Sequence, residues 1–192
     1  MAELRHGFKA EAERLAAEER EELQIGPLDP LDPWVLAQNH GVQVVRLSDL
    51  PGTESDVSDA VRHFSGPARA SFSALLLPIG LGVAIVENET HALTRRISNL
   101  AHEMSHLLLE HDFGYVLFDD GCREMDPVVE EEALWLSGEL LVPRAGALDC
   151  AKNSWTDEQV AELYEVSVAF ARMRMNWSGV RRQADRQRRA RR

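Results

Sequence analysis

Two cysteines, Cys122 and Cys150, are all that 192 residues contain. The two could pair, but nothing suggests a disulfide framework, and a reducing compartment, the cytoplasm, is the default expectation. Long apolar runs are missing as well. None approaches the roughly 20 residues that a membrane-spanning helix needs. Met1 to Arg20 is charged, with no apolar centre followed by small residues, so no secretory signal is expected there. There are no internal repeats and no glycine-rich phosphate loop. Positive charge is scarce everywhere except at one end. Nine arginines against one aspartate between Arg172 and Arg192 give a local balance of +8. The rest of the chain carries −19, for a net charge of −11. An acidic body is a poor nucleic-acid binder. The basic end can touch nucleic acid, or be a solvated end lying against its own acidic body.

The composition is otherwise that of an ordinary globular protein, 44% hydrophobic and 28% charged. The length suits one packed domain, or one domain with a small appendage.

The most informative stretch is Ser98 to Leu109, which holds His102-Glu103-Met104-Ser105-His106. Residues four apart share a helix face, so His102 and His106 can present their imidazoles to one metal ion. Glu103 lies one step round from His102. Two neutral nitrogens holding zinc, with a carboxylate beside it to take a proton from water, form a hydrolytic site. The same pentapeptide also arises by chance on a plain amphipathic helix. Here Leu100, Leu107 and Leu108 are apolar and Ala101 and Ser105 small. The helix is therefore expected to be buried, where histidines and a glutamate are costly unless they bind something.

Before this stretch, Phe8 to Leu23 reads as a helix ended by Gly26-Pro27. Asp32-Pro33 reads as an N-cap and first-position proline for a short helix, Trp34 to Asn39, with Gly41 a stop. Val42 to Leu47 is a strand. Residues 48–70 read as loop, with at most one weak helix around Val57 to Phe64 and His63 on the surface. Phe72 to Leu77 and Leu81 to Val86 form a hairpin whose apolar face packs under the motif helix, leaving one backbone edge near the site. Thr94 is the expected N-cap of that helix, which runs to about His111. His111 and Tyr115 either line the cleft or are loop residues.

Residues 112–126 read as loop. Asp126-Pro127 repeats the capping signal for a helix over Val128 to Val142, stopped by Pro143. It opens with Glu130-Glu131-Glu132. Adjacent acids at a helix start commonly reflect the helix dipole, yet a catalytic zinc also needs a third protein ligand. Glu130 aligns with Ala133, Leu134, Ser137 and Leu141, a face able to pack inward. Glu132 aligns with Glu139, which predicts solvent. Glu131 stays open. Thr156 to Gln159 is a capping box. The run from Val160 to Ser167 has a helix-turn-helix pattern, with Glu165 at the position that often holds glycine and Arg172 and Arg174 in the second helix. DNA readout by a dimer and a packed helical pair supporting the core are the two readings, the second favoured.

Taken together, these pieces resemble the ImmA/IrrE family of zinc metallopeptidases along nearly the whole chain. The matching segments are Gly7-Phe8-Lys9-Ala10-Glu11-Ala12, Leu28-Asp29-Pro30-Leu31, Leu100 to His106, and Glu130-Glu131-Glu132-Ala133 running to Leu140-Leu141-Val142-Pro143. The family pattern is Glu-x-Glu-Ala, then Leu-Leu-Met-Pro. Val142 replaces Met here, and Leu134 stands where Asn or Asp is common. The resemblance implies a zincin-like α+β fold with a small sheet, Zn2+ held by His102, His106 and Glu130, and Glu103 as the catalytic base. It also implies a helix-turn-helix repressor of the Xre type as the protein substrate, and derepression of mobile-element or stress genes. The chain has no room for the sensor domain some members carry. The expected division is a metallopeptidase core over 1–150, a helix-turn-helix-like extension over 151–180 and a flexible basic tail over 181–192. His91, Tyr115 and His111 are the candidate oxyanion donors. The rival expectation is a DNA-binding regulatory protein with a structural zinc.

Overall fold

A computed structural model describes residues 4–50, 55–66, 68, 70–79, 82–111 and 126–190. The chain opens with α1 (Phe8–Glu22), which turns Phe8, Ala12 and Ala16 inward at four-residue spacing. Next comes α2 (Pro33–Asn39), where Asp32 Oδ1 accepts from the Trp34 N–H at 2.8 Å and Pro33 fills the first position. Gly41, at φ 67°, turns the chain away from the helix end. A short strand, β1 (Gln43–Arg46), follows, then α3 (Ser55–Ser65), a fuller helix than the weak one expected. His63 is exposed.

β2 (Ala74–Ile79) and β3 (Gly82–Glu87) are the two strands of the expected antiparallel hairpin. β1 lies parallel to β3 on its other side, so the order is β1-β3-β2. The central strand buries Ala84, Ile85 and Val86 in succession. Pro78, which donates no hydrogen bond, sits on the edge strand β2, where a lost donor costs least.

α4 (Leu93–Leu108) carries the histidine motif across this sheet and buries Ile97, Leu100, Ala101 and Met104. It starts at Ala92 with no side-chain cap, two residues earlier than a Thr94 cap predicts. Its first turn is tied to the sheet instead: buried Glu87, at the end of β3, accepts from Arg96 Nη2 at 2.7 Å and Nε at 3.0 Å. A paired fork of this kind fixes orientation as well as distance.

α5 (Pro127–Leu141) packs on α4 and α1, with Asp126 capping Val128 N–H at 2.8 Å. Glu132 and Glu139 share a face, but that face is not solvent: they are 6% and 2% exposed. With α1 and α4 against it and Arg174 reaching in from a later helix, α5 has no free stripe beyond its first turn. Glu139 pairs with buried Arg174 and accepts the Arg144 N–H at 3.0 Å, while Glu132 accepts from Arg5 Nε at 2.9 Å.

Four helices complete the chain: α6 (Arg144–Lys152), α7 (Asp157–Leu163), α8 (Val168–Trp177) and α9 (Val180–Ala190). Thr156 and Gln159 form the capping box of α7. Glu165 takes the left-handed turn at φ 56°, and Ser167 caps α8. Arg174 is buried in that second helix and Arg172 is bonded to Asp157 at 2.9 Å. Residues 181–190 are helical, not a loose tail, because Val180 and Ala184 seat α9 against α6. One hydrophobic cluster runs from Phe8 in α1 through α4 and α5 to Ala184 in α9.

Candidate metal centre

His102 and His106 project from one face of α4, their rings 4.8 Å apart and nearly perpendicular. Glu130, in the first turn of α5, meets them from across the α4–α5 contact. The Glu130 carboxylate spans the two rings, one oxygen toward each. His102 Nε2 and His106 Nε2 are 3.2 Å apart, Glu130 Oε2 is 3.3 Å from His102, and Glu130 Oε1 is 3.2 Å from His106. Four ligands at about 2.0–2.1 Å from zinc in a tetrahedron stand about 3.3–3.4 Å from one another. The nitrogen–nitrogen distance matches that spacing, and each ring has a carboxylate oxygen of Glu130 at a similar distance, so the three side chains suit one metal ion. Glu130 Oε1 is buried without a hydrogen bond of good geometry, as expected of an oxygen reserved for a cation. Burial raises the Glu130 carboxyl, but bonding to His102 and then His106 outweighs it and holds the pKa at about 2. The group is a ready anionic ligand at neutral pH.

Glu130 is the acid of its triplet that joins the histidines. Among the described residues, His102, His106 and Glu130 are the group whose ligand atoms lie within 4.8 Å of one another. Glu131 is not part of it.

Glu103 is placed by the sheet. Its Oε2 accepts the backbone N–H of Leu76 at 3.2 Å. Leu76 lies on edge strand β2, so the hairpin brings its backbone edge beside the motif, as its position in the sequence predicts.

Behind His106 lies a chain of polar residues that sequence reasoning largely missed. His106 Nδ1 is 3.0 Å from His111 Nδ1, His111 Nε2 is 3.5 Å from Glu132 Oε2, and Glu132 is bonded to Arg5. Nδ1 and Nε2 sit on opposite sides of an imidazole, so His111 is on the far side of His106 from Glu130. Burial, then the neighbouring His106, keeps the His111 ring below the ordinary histidine range. The sequence signal for this chain was the third acid, Glu132, two positions beyond Glu130. His91, a second oxyanion candidate, has its Nε2 3.0 Å from the Phe72 carbonyl. Tyr115, the third, lies outside the described residues, as does Cys122.

No described helix is long and apolar enough to cross a membrane. Among known proteins, the family model Peptidase_M78, described as the IrrE N-terminal-like domain, matches residues 37–176. No curated protein and no solved structure matches the chain.

Proposed function

The chain belongs to the Peptidase_M78 family of IrrE N-terminal-like domains, which makes it a protein of metallopeptidase type, and from that premise we propose a zinc-dependent endopeptidase that cleaves a helix-turn-helix repressor. The observation that carries the reading is the convergence of His102, His106 and Glu130, whose ligand atoms lie within 4.8 Å of one another. Three protein donors among the described residues are the set of a catalytic zinc, which keeps a position for water or substrate; a structural zinc takes four. That distinction favours the enzyme over a regulatory protein with a structural zinc.

Zinc bound there would acidify a water molecule and polarise the scissile carbonyl. The rest is the work of the chain's own groups. Glu103 takes the proton from the attacking water and passes it to the leaving amine. The Leu76 N–H orients the carboxylate that does so. The β2 edge is a template for an extended substrate segment, which would add as a further strand. His106, 2% exposed and packed between α4 and α5, holds its position without solvent freedom.

The substrate class rests on the family resemblance: Xre-type repressors, whose loss derepresses mobile-element or stress-response genes. A cytoplasmic location follows from that substrate. Incubating the purified zinc protein with the repressor encoded beside its gene, and following repressor length on a gel, tests the proposal. Discrete fragments that do not form with Glu103→Gln support it. An intact repressor under every condition, with and without DNA damage in the cell, contradicts it.

A further inference from the structure

The strongest charge feature of the molecule lies outside the span matched by the family. In α9, Arg182, Arg186 and Arg189 follow at intervals of four and three residues, so they form one stripe along the helix. Val180 and Ala184, the buried residues of α9, point the opposite way. The stripe therefore faces straight out, and all three arginines are exposed. None has an ion-pair partner among the described residues, although the chain carries 32 acidic residues. The neighbouring cations are treated differently: Arg181 pairs with Asp157 and Arg188 with Asp185. Arg144, from α6, joins the stripe at its near end. Its Nη2 donates to Gln183 Oε1 at 2.7 Å, and with Arg182 and Arg186 it lines a cleft of about 520 Å³ at the Gly179 turn. Among the described residues, its guanidinium has Glu13 as its ion-pair partner, at 4.0 Å.

We propose that Arg144, Arg182, Arg186 and Arg189 form a docking surface for the phosphate backbone of duplex DNA. This does not depend on the peptidase reading. Arg182 to Arg189 spans roughly 10 Å at about 1.5 Å per residue. That is about three phosphate steps at about 3.4 Å per step along one strand. Guanidinium groups bind phosphate oxygens in pairs, and Gln183 and Gln187 add neutral donors beside them. A membrane is the poorer partner, because the stripe has no apolar flank to enter a bilayer. The surface carries no base-reading geometry, so contact is sequence-independent. The strongly acidic remainder of the chain confines DNA to this surface and keeps affinity modest.

Fluorescence anisotropy of the full chain with a labelled 20-base-pair duplex, in a salt series, tests this. Binding should weaken with salt, with a slope of log affinity on log salt of roughly −3, for three to four phosphates at about −0.9 each. The combined variant Arg182→Ala, Arg186→Ala, Arg189→Ala should lose at least tenfold in affinity. The matching lysine variant should stay within about threefold of wild type, since the charge remains. Arg172→Ala, which removes a paired arginine, should leave binding unchanged. Circular dichroism checks that α9 persists; if the alanine variant unfolds, Arg186→Glu alone should still cut affinity severalfold. Two arms identify the occupant. If a poly-glutamate peptide binds more tightly than DNA at equal charge, or vesicles of phosphatidylserine and phosphatidylcholine bind while DNA does not, the assignment is overturned. Equal DNA binding by wild type and the triple alanine variant overturns it too.

Discussion

The Nδ1 atoms of His106 and His111 lie 3.0 Å apart, on the side of the His106 ring away from Glu130. Only one tautomer pattern suits both edges of that ring. If His106 gives its Nε2 lone pair to zinc, its proton is on Nδ1 and donates to His111. The His111 proton is then on Nε2, facing Glu132. Such outer partners fix a ligand's orientation, and their loss costs about 10–100-fold in metal affinity. His111→Ala should therefore weaken zinc binding by that order, measured by competition with a chromophoric chelator, and His111→Asn should recover part of it. Zinc affinity within twofold of wild type in His111→Ala would remove His111 from the centre.

Glu130 and Glu131 should separate cleanly. Glu130→Gln removes the charged donor that lies 3.2 to 3.3 Å from the two histidine rings, so zinc content after dialysis should fall well below one per chain. Glu131→Gln should stay near one. The opposite pattern would mean that α5 presents a different face to α4.

Arg174 and Arg172 test what the helix-turn-helix pattern is for. Arg174 is buried and paired with buried Glu139. Truncating one member of a buried pair strands the other, at a cost of about 3–5 kcal/mol. Arg174→Ala should lower the urea midpoint accordingly. Arg172→Ala, at the exposed end of its pair with Asp157, should change stability by less than about 1 kcal/mol. Equal, small effects would return α8 to the role of a reading helix.

Asp157 gives a pH signature. Burial raises its carboxyl, but the hydrogen bonds from Arg172 and Arg181 outweigh this and hold it below the usual aspartate range. A folded-state value below the unfolded one stabilises fully above the unfolded value of about 3.9. The contribution disappears as pH falls through the lower folded value. The stability difference between wild type and Asp157→Asn should thus be constant from pH 7 to about pH 5 and shrink below about pH 4. Urea melts across that range measure it; a difference that grows on acidification would contradict the sign.

Much of the site was legible because its signals are local. His102 and His106 share one helix face by spacing alone, with Glu103 one step round, and Asp32-Pro33 and Asp126-Pro127 mark helix starts by their own chemistry. What escaped depends on tertiary partners. Glu132 and Glu139 read as solvent-facing because a carboxylate is costly to bury, and Arg5 and Arg174, distant in sequence, reverse that. The cap expected at Thr94 gave way to a long-range device, the Arg96 fork on Glu87. The arginine-rich end read as a loose tail because charge dominates its composition. Val180 and Ala184, four residues apart, give α9 an inner face, which becomes visible once α6 lies against it.

The most direct test of the central claim uses Glu103→Gln. Gln keeps the shape of Glu but cannot take the proton from water. Zinc content and repressor cleavage are measured on the same preparation, beside wild type. The account predicts about one zinc per chain in both proteins, with cleavage by wild type and a loss of at least a hundredfold in the variant. Cleavage by the Gln variant at the wild-type rate, with zinc retained, would contradict it.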